Sequence, residues 1–162
     1  MINISKLDEY TLNKFTELLN THIIKRNKRF IIGYINKSDL IIEKSLEELK
    51  KNNIQDFDKN VYHIEFHQKN NYFNKKKGSN NFMWHTDDKA VTKYNVYTII
   101  FYLRKDYSVK GGDFKYKINN NEFIHIVKMG DVLSFKGDII HKPTETYGFG
   151  CRDSIIVFIK RI

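Results

Sequence analysis

Two histidines and an aspartate in the second half of the chain have the residue types and order of a metal site. His85 and Asp87 are two positions apart, and His141 follows far downstream. Because residues i and i+2 of a strand point to the same face, His85 and Asp87 could bind one ion, with His141 arriving from another strand. Arg152 and Ser154 then add a cation and a hydroxyl. Two imidazoles, a carboxylate and a cation match a non-haem iron site that takes an acidic cosubstrate.

The His-X-Asp spacing carries little weight by itself. In a chain with 6 histidines, one such pair can arise by chance. A lone histidine is also more often a surface or core residue than a ligand. The hypothesis therefore depends on the sequence around all three positions and on the elements that would position them.

Length and composition predict one packed domain. The chain has 162 residues, of which 41% are hydrophobic and 14% aromatic. This length suits a single domain with a sizeable core, and this composition argues against disorder. We expect one domain over residues 1–162, in which residues 1–58 buttress a core formed by residues 59–162.

The chain is basic, with 28 Lys and Arg residues against 19 Asp and Glu residues and a formal net charge of +9. Such a charge raises non-specific affinity for nucleic acid. The lysines lie among Asn and Ile, however, as in Lys50-Lys51-Asn52-Asn53. AT-rich coding produces the same bias without any anionic partner. A nucleic-acid partner therefore stays open but disfavoured.

The cysteine content and the lack of long apolar runs indicate the cellular compartment. The single cysteine, Cys151, cannot form an intramolecular disulfide, and no Cys/His cluster indicates structural zinc. Residues 1–9 lack the apolar core of a signal peptide, and no apolar run approaches the length of a membrane span. We expect a soluble intracellular protein, most simply cytoplasmic, with no membrane partner.

Apolar residues at helical spacing predict two helices in the first third of the chain. The first helix is capped by Ser5 and runs to about residue 20, and the second follows Ser38. Between them, residues 29–35 have the composition of a strand. From residue 60 onward, short β-rich runs alternate with turn residues, which is typical of a sandwich or barrel. The predicted strands there cover 61–67, 82–85, 94–103, 113–118, 122–127, 131–135 and 154–159.

A segment rich in Asn and Lys, residues 68–81, interrupts this pattern just ahead of His85. Its composition predicts a mobile loop. Loops beside a metal often gate substrate, whereas a plain solvated insertion is the alternative interpretation. The sequence leaves both open.

Six short motifs follow one another along residues 60–162. They are His85-Thr86-Asp87, Thr98-Ile99-Ile100-Phe101-Tyr102-Leu103, Gly111-Gly112-Asp113-Phe114, Gly130-Asp131-Val132-Leu133-Ser134-Phe135, His141-Lys142-Pro143 and Arg152-Asp153-Ser154. In type and order these motifs resemble those of the 2-oxoglutarate- and Fe(II)-dependent dioxygenases, particularly the prolyl-hydroxylase branch. The resemblance implies a mainly β (α+β) fold, a double-stranded β-helix or jelly roll with N-terminal supporting helices.

The same resemblance implies the cofactors and their ligands. His85, Asp87 and His141 would bind Fe(II), and 2-oxoglutarate and O2 would occupy the open coordination positions. Arg152 would pair with the distal carboxylate of 2-oxoglutarate, because a planar guanidinium holds both oxygens in a fixed fork. Tyr102 would share that carboxylate, and Ser154 would do the same from a neighbouring position.

One departure from the family pattern concerns the strand that precedes the His-X-Asp motif. A tyrosine that contacts the cosubstrate in the prolyl-hydroxylase branch has its nearest counterpart here in His67, for which a structural role is equally open. His63 and Glu65 form a second His-X-Glu pair on that strand. We interpret this pair as ordinary strand positions, because no third ligand accompanies it.

The resemblance implies an oxygenase that hydroxylates a protein or peptide side chain, a prolyl residue first, and releases succinate and CO2. Three alternatives stay open. A nucleic-acid demethylase of the AlkB type is disfavoured, since that family carries a second arginine six residues after the first and this chain has Phe158 there. A small-molecule hydroxylase and a non-catalytic jelly-roll binding module are the other two.

Overall fold

The computed structural model describes residues 1–22, 30–70, 83–89 and 93–162. The helices of this part of the chain are α1 (Glu9–His22) and α2 (Asp39–Lys51). Its strands are β1 (Ile2–Lys6), β2 (Phe30–Tyr34), β3 (Phe57–Asn70), β4 (Val96–Lys105), β5 (Lys110–Gly111), β6 (Phe114–Ile118), β7 (Asn121–His125), β8 (Asp131–Lys136), β9 (His141–Pro143), β10 (Thr146–Tyr147) and β11 (Cys151–Arg161).

Strand pairing builds two facing sheets. Six strands form the major sheet, in the order β1-β8-β4-β11-β3-β2, and three form the minor sheet, in the order β7-β6-β9. Strands β10 and β5 add a short pair, and every pairing is antiparallel. Apart from β2 and β3, neighbours in the major sheet are not consecutive strands of the chain, as a jelly roll requires. The predicted double-stranded β-helix is confirmed.

Side-chain alternation along β4 explains why this strand is buried over nearly its whole length. Ile99 and Phe101 face the helices, whereas Ile100 and Tyr102 face the minor sheet. Successive side chains of a strand point to opposite faces, so covering both faces of the major sheet buries both sets. The layer under the helices forms the larger core, and the layer between the sheets contains the site described below.

The helices cover the outer face of the major sheet. Phe15 of α1 is fully buried, and its ring meets Phe101 edge-on with 5.1 Å between the ring centroids. Ile41 and Leu49 of α2 are fully buried in the same cluster. The second helix follows Ser38 as predicted, and Ser38 caps it by accepting a hydrogen bond from the amide of Ile41. Neither helix is long and apolar enough to cross a membrane.

The predicted start of the first helix is wrong. Ile2–Lys6 form the edge strand β1, which pairs with β8, and α1 begins at Glu9. The cap is Asp8, which accepts from the amide of Thr11 at 2.8 Å, and not Ser5. A five-residue edge strand is stabilised by its pairing partner, so helical spacing farther along the chain could not reveal it.

The predicted strand over 82–85 is also wrong within the described residues. Only His85 pairs there, through an isolated bridge with His141. Of the predicted loop over 68–81, Gln68 and Lys69 belong to β3, which runs to Asn70. The remainder of that loop lies outside the described residues. Strand β11 starts at Cys151, three residues before the predicted start.

Replacing Phe15 by alanine would leave a cavity between α1 and the major sheet. We expect the free energy of unfolding to fall by about 3–5 kcal/mol, the usual loss for a buried phenylalanine. Urea denaturation measures this change in the free energy of unfolding. Tyr107→Ala is the matched control, because the Tyr107 side chain is 97% exposed and its loss should cost less than about 0.5 kcal/mol. Equal effects of the two changes would contradict the packing of α1 described here.

Candidate metal centre and its pocket

Three side chains form a compact group of potential metal ligands between the sheets. One donor atom each of His85, Asp87 and His141 lies within 4.8 Å of the other two. The Nε2 atom of His85 is 3.7 Å from one Asp87 oxygen, and that of His141 is 3.6 Å from the other. Among the described residues this is the group of three or more His, Cys, Asp and Glu side chains that could hold an ion.

Backbone hydrogen bonds bring these residues together. The amide of His85 donates to the carbonyl of His141 at 3.0 Å, and the amide of His141 donates back at 2.9 Å. The amide of Asp87 donates to the carbonyl of Gly137 at 2.8 Å. The segment that carries His85 and Asp87 is therefore tied at two points, to the first residue of β9 and to Gly137 in the connection between β8 and β9.

The same segments fix the tautomers of both histidines. Nδ1 of His85 is 2.8 Å from the carbonyl oxygen of Met83, and Nδ1 of His141 is 2.9 Å from that of Ile139. A carbonyl only accepts, so each Nδ1 carries a proton, and in the neutral form of each ring the lone pair is on Nε2. Both lone pairs are on the atoms nearest Asp87. This hydrogen-bonding pattern is typical of metal-bound histidines.

His141 is held in its neutral form. Burial lowers the pKa of its imidazole, although the carboxylate of Asp87 acts in the opposite direction. The ring stacks on Phe114, with 5.1 Å between centroids, and meets Phe135 edge-on at 5.0 Å. A neutral imidazole is the form that binds a metal.

Thr98 positions the carboxylate ligand. Its hydroxyl donates to Asp87 at 2.7 Å, and both side chains are buried. The sequence placed Thr98 in a motif but gave it no role. The sequence signal that could have revealed it is its position four residues before Tyr102 on β4, because residues four apart on a strand share a face.

The donor set suits a divalent transition metal such as Fe(II). Two imidazoles and one carboxylate leave coordination positions open, which is the arrangement of non-haem iron oxygenases. Hydrogen bonds to all three ligands hold their orientation before any ion binds.

A cavity extends from this group between the two sheets. Its floor is built by alternate residues of β3, β4 and β11, and its lining includes all seven residues that the sequence predicts for the site. The lining residues are Glu65, His67, His85, Asp87, Thr98, Ile100, Tyr102, Phe114, His141, Pro143, Arg152, Ser154, Ile156 and Phe158.

Arg152 supplies a buried cation to this cavity. Its side chain is 3% exposed, its Nη1 donates to the carbonyl of Gly112 at 2.8 Å, and its guanidinium carbon lies 5.3 Å from the centroid of the Tyr102 ring. Its Nε is buried with no hydrogen-bond partner among the described residues. A buried donor of this kind is costly until a ligand oxygen accepts from it. The site is therefore suited to a carboxylate.

Gly112 makes room for that guanidinium. Its φ is +68°, and a Cβ there would lie 2.9 Å from Cδ of Arg152. Only glycine combines this backbone conformation with so close an approach. The Gly-Gly motif thus has a direct structural link to Arg152, which the sequence could not reveal.

Tyr102 and Ser154 lie beside Arg152 on the floor of the cavity. Both are buried, and they are opposite each other on β4 and β11. Burial raises the pKa of the Tyr102 phenol, so the hydroxyl is neutral and able to donate. Both hydroxyls have the type and position to share a ligand carboxylate with Arg152.

His67 belongs to a polar row along β3. Its Nε2 lies 2.7 Å from one oxygen of Glu65, and Nε2 of His63 lies 3.0 Å from the other. Burial alone would raise the pKa of Glu65, but the hydrogen bonds from His67 and His63 outweigh it and hold this pKa below its ordinary value. The His-X-Glu pair of the sequence is thus part of a hydrogen-bonded row of three, of which Glu65 and His67 line the cavity.

No protein-family model matches the chain, and neither does any curated protein. Solved structures do match it. A prolyl-4-hydroxylase from Pseudomonas putida has a TM-score of 0.70 and 10% sequence identity, covering 99% of this chain and 92% of its own. HygX from Streptomyces hygroscopicus, with nickel and 2-oxoglutarate bound, has a TM-score of 0.69 and 13% identity, covering 99% and 82%.

A third match is a prolyl hydroxylase from Trichoplax adhaerens in complex with a peptide fragment of the oxygen degradation domain of hypoxia-inducible factor. Its TM-score is 0.68 at 12% identity, with 99% of this chain and 83% of that chain covered. At such low identity the likeness establishes architecture. The chain therefore has the fold of the 2-oxoglutarate- and Fe(II)-dependent oxygenases, the family that its sequence motifs resemble.

Proposed function

We propose that the protein is an Fe(II)- and 2-oxoglutarate-dependent oxygenase that hydroxylates a protein or peptide side chain, with a prolyl residue as the first candidate. The observation that carries this proposal is the cavity with a metal-ligand group and a buried guanidinium on the same lining. The ligand group is His85, Asp87 and His141, and the guanidinium is Arg152. A dicarboxylic acid that binds the metal by one end requires a cation for the other.

The three ligands would hold the iron, and Arg152 would hold the distal carboxylate of 2-oxoglutarate with the hydroxyls of Tyr102 and Ser154. When bound, iron and 2-oxoglutarate supply the oxidising chemistry: O2 places one oxygen atom in succinate, formed with loss of CO2, and the other in a C–H bond of the substrate. The residues of this chain orient the reactants and exclude water.

Several apolar side chains separate the cation from bulk water. Ile100, Phe114, Ile156 and Phe158 line the cavity together with Pro143. In such surroundings the attraction between a guanidinium and a carboxylate is stronger than in water. A reactive complex is also shielded there from side reactions with solvent.

Two observations support a peptide substrate over a buried small molecule. The His85 side chain is 39% exposed, so the metal group lies near the surface, where part of a larger molecule can reach it. One of the structures with this fold holds a peptide. The prolyl assignment follows from the same neighbours, two of which are prolyl hydroxylases.

The nucleic-acid alternative has less support from the cavity. Where AlkB-type enzymes carry their second arginine, this chain has Phe158, which is 3% exposed and stacks against His63 at 6.1 Å between ring centroids. An aromatic ring cannot make the ionic contact of an arginine.

Anaerobic addition of Fe(II) and then 2-oxoglutarate to the purified protein should produce the visible charge-transfer band of the chelated cosubstrate. His141→Ala should abolish the band, because it removes one of three ligands. Asp138→Asn is the matched control, since this carboxylate lies on the same β8–β9 connection but its side chain is 56% exposed. Absorption spectroscopy is the measurement. A band that persists in His141→Ala would refute the assigned ligands.

Arg152→Met should weaken 2-oxoglutarate binding about 10- to 100-fold. A hydrogen bond to a charged group contributes about 1.5–3 kcal/mol, and each 1.4 kcal/mol is about tenfold in the dissociation constant. Titration of the Fe(II)-loaded protein gives this constant, and thermal unfolding checks that the variant is folded. Lys128→Ala, an exposed lysine, is the control. An unchanged constant in Arg152→Met would remove Arg152 from the cosubstrate site.

The substrate assignment is tested with a proline-containing peptide and a copy in which alanine replaces each proline. We expect succinate release and the gain of one oxygen atom with the first peptide alone, measured by mass spectrometry. His85→Ala should release no succinate with either. Turnover of a methylated oligonucleotide but not of the peptide would favour the demethylase instead.

A further inference from the structure

A second pocket lies on the same face of the major sheet as the metal centre. Its lining includes Val96 of β4 and Phe158 and Lys160 of β11, and Phe158 also lines the cavity of the metal centre. Val96 is directly opposite Lys160, and Thr98 is directly opposite Phe158. Since residues two apart on a strand share a face, this pocket extends the cavity floor by one more pair of residues. We call it the flanking pocket.

The flanking pocket and the cosubstrate cation lie on opposite sides of the metal centre. Arg152 is at one end of the cavity-facing residues of β11, and Lys160 is at the other. Between them, Phe158 is opposite Thr98, whose hydroxyl donates to Asp87. The order along the floor is therefore cosubstrate cation, metal centre, flanking pocket. A substrate that approaches the metal from the side opposite the cosubstrate meets this pocket.

Aromatic rings form much of the wall of the flanking pocket. The rings of His63 and Phe158, which both line it, stack with 6.1 Å between their centroids. Nε2 of His63 is 3.0 Å from an oxygen of Glu65, and this contact holds the ring in its orientation. Tyr62 and Tyr94 supply two further rings. Such walls suit the aliphatic part of a side chain.

Lys160 brings a positive charge to this aromatic pocket. Its Nζ lies 4.8 Å from the centroid of the Tyr94 ring, and Nζ of Lys93 lies 5.4 Å from the same centroid. The carboxylate of Asp58 is 3.9 Å from Nζ of Lys160, which is beyond the range of a direct hydrogen bond. The Lys160 side chain is 32% exposed, so a ligand can reach it. This ammonium is therefore suited to a closer contact with a carboxylate from outside the chain.

We propose that the flanking pocket binds a glutamate side chain of the peptide substrate, two residues away from the residue that is hydroxylated. This inference rests on the proposed function, which assigns a peptide substrate. Lys160 makes the ionic contact with the carboxylate, and the methylene groups of the glutamate pack against the rings of Phe158 and Tyr94. Lys160 determines specificity in this way without touching the reacting atoms.

The spacing follows from the geometry of β4. Val96 precedes Thr98 by two residues, which is about 7 Å along a strand. An extended peptide covers the same distance in two residues. When the target residue lies at the metal centre, the side chain two positions away is therefore level with Val96 and Lys160.

Other side chains fit this pocket less well. A leucine would pack against the rings but would shield the Lys160 ammonium from water without offering it an acceptor. A lysine would place a third ammonium beside those of Lys93 and Lys160. We therefore expect the preference of the pocket to fall from glutamate to leucine to lysine.

The probes for this preference are fluorescently labelled decapeptides with one proline in a background of glycine and serine. Glutamate, leucine or lysine is placed two residues before the proline in one set and two residues after it in another. Fluorescence anisotropy measures their binding to the anaerobic protein loaded with Fe(II) and 2-oxoglutarate, so that no turnover is needed. In one of the two sets the glutamate peptide should bind about tenfold more tightly than the leucine peptide. Equal binding of the three peptides, or tightest binding of leucine or lysine, would overturn the proposal.

Moving the glutamate separates the pocket from the general attraction of a basic protein. With the glutamate four residues from the proline, the advantage over leucine should disappear. An advantage of the same size at every position would come from the net charge of +9, which acts over long distances, and would count against a defined pocket.

Variants of Lys160 test the residue itself. Lys160→Met should bind the glutamate and leucine peptides equally well, and Lys160→Glu should bind the lysine peptide more tightly than the wild type does. A misfolded variant would not gain affinity, so this reversal is independent of any loss of stability. Lys128→Glu is the matched control, because it makes the same change in net charge at an exposed position and should keep the preference for glutamate. A Lys160→Glu variant that gains nothing towards the lysine peptide would refute the role of Lys160.

A turnover measurement with the same peptides distinguishes this proposal from the proposed function. If the peptides gain oxygen at rates that ignore the glutamate and their binding ignores it too, the flanking pocket is refuted and the proposed function stands. If the glutamate peptide binds with the expected preference but gains no oxygen in air, the pocket stands and the proposed function is refuted. If no peptide binds and none gains oxygen, both are refuted.

Discussion

The alternation of side chains on β11 and its two neighbours is the constraint on which both the core and the pocket depend. Ile155, Val157 and Ile159 of β11 point towards the helices, and the residues between them point towards the cavity. Because the period of a strand is two, a register slip of one residue would move the polar set into the helix-facing core and the apolar set into the cavity. The helices, by covering one face, therefore fix which side chains form the site.

Polar groups inside the cavity are costly in isolation, and the fold compensates most of them within the protein. Asp87 accepts from Thr98, and Glu65 is held between two histidines. Arg152 stands apart, because one of its buried donors has no acceptor among the described residues. Functional sites commonly carry such local costs, which the packing of the rest of the domain offsets.

Much of this arrangement could be predicted from the sequence. The motifs around His85, Asp87 and His141 predicted the fold, and alternation predicted most strands of the second half. The edge strand over Ile2–Lys6 could not be predicted, because its pairing with β8 is a tertiary effect.

The isolated bridge between His85 and His141 has a consequence for how the protein matures. These residues are distant in the chain, and the residues between them form the five strands β4 to β8. A contact of this kind has a high loop-closure cost, so the three donors meet only when the sandwich is nearly complete. An ion held there would stabilise the native state over every partly folded one, by a free energy that grows with the logarithm of the free ion concentration. The supply of metal would then influence what fraction of the molecules is fully folded.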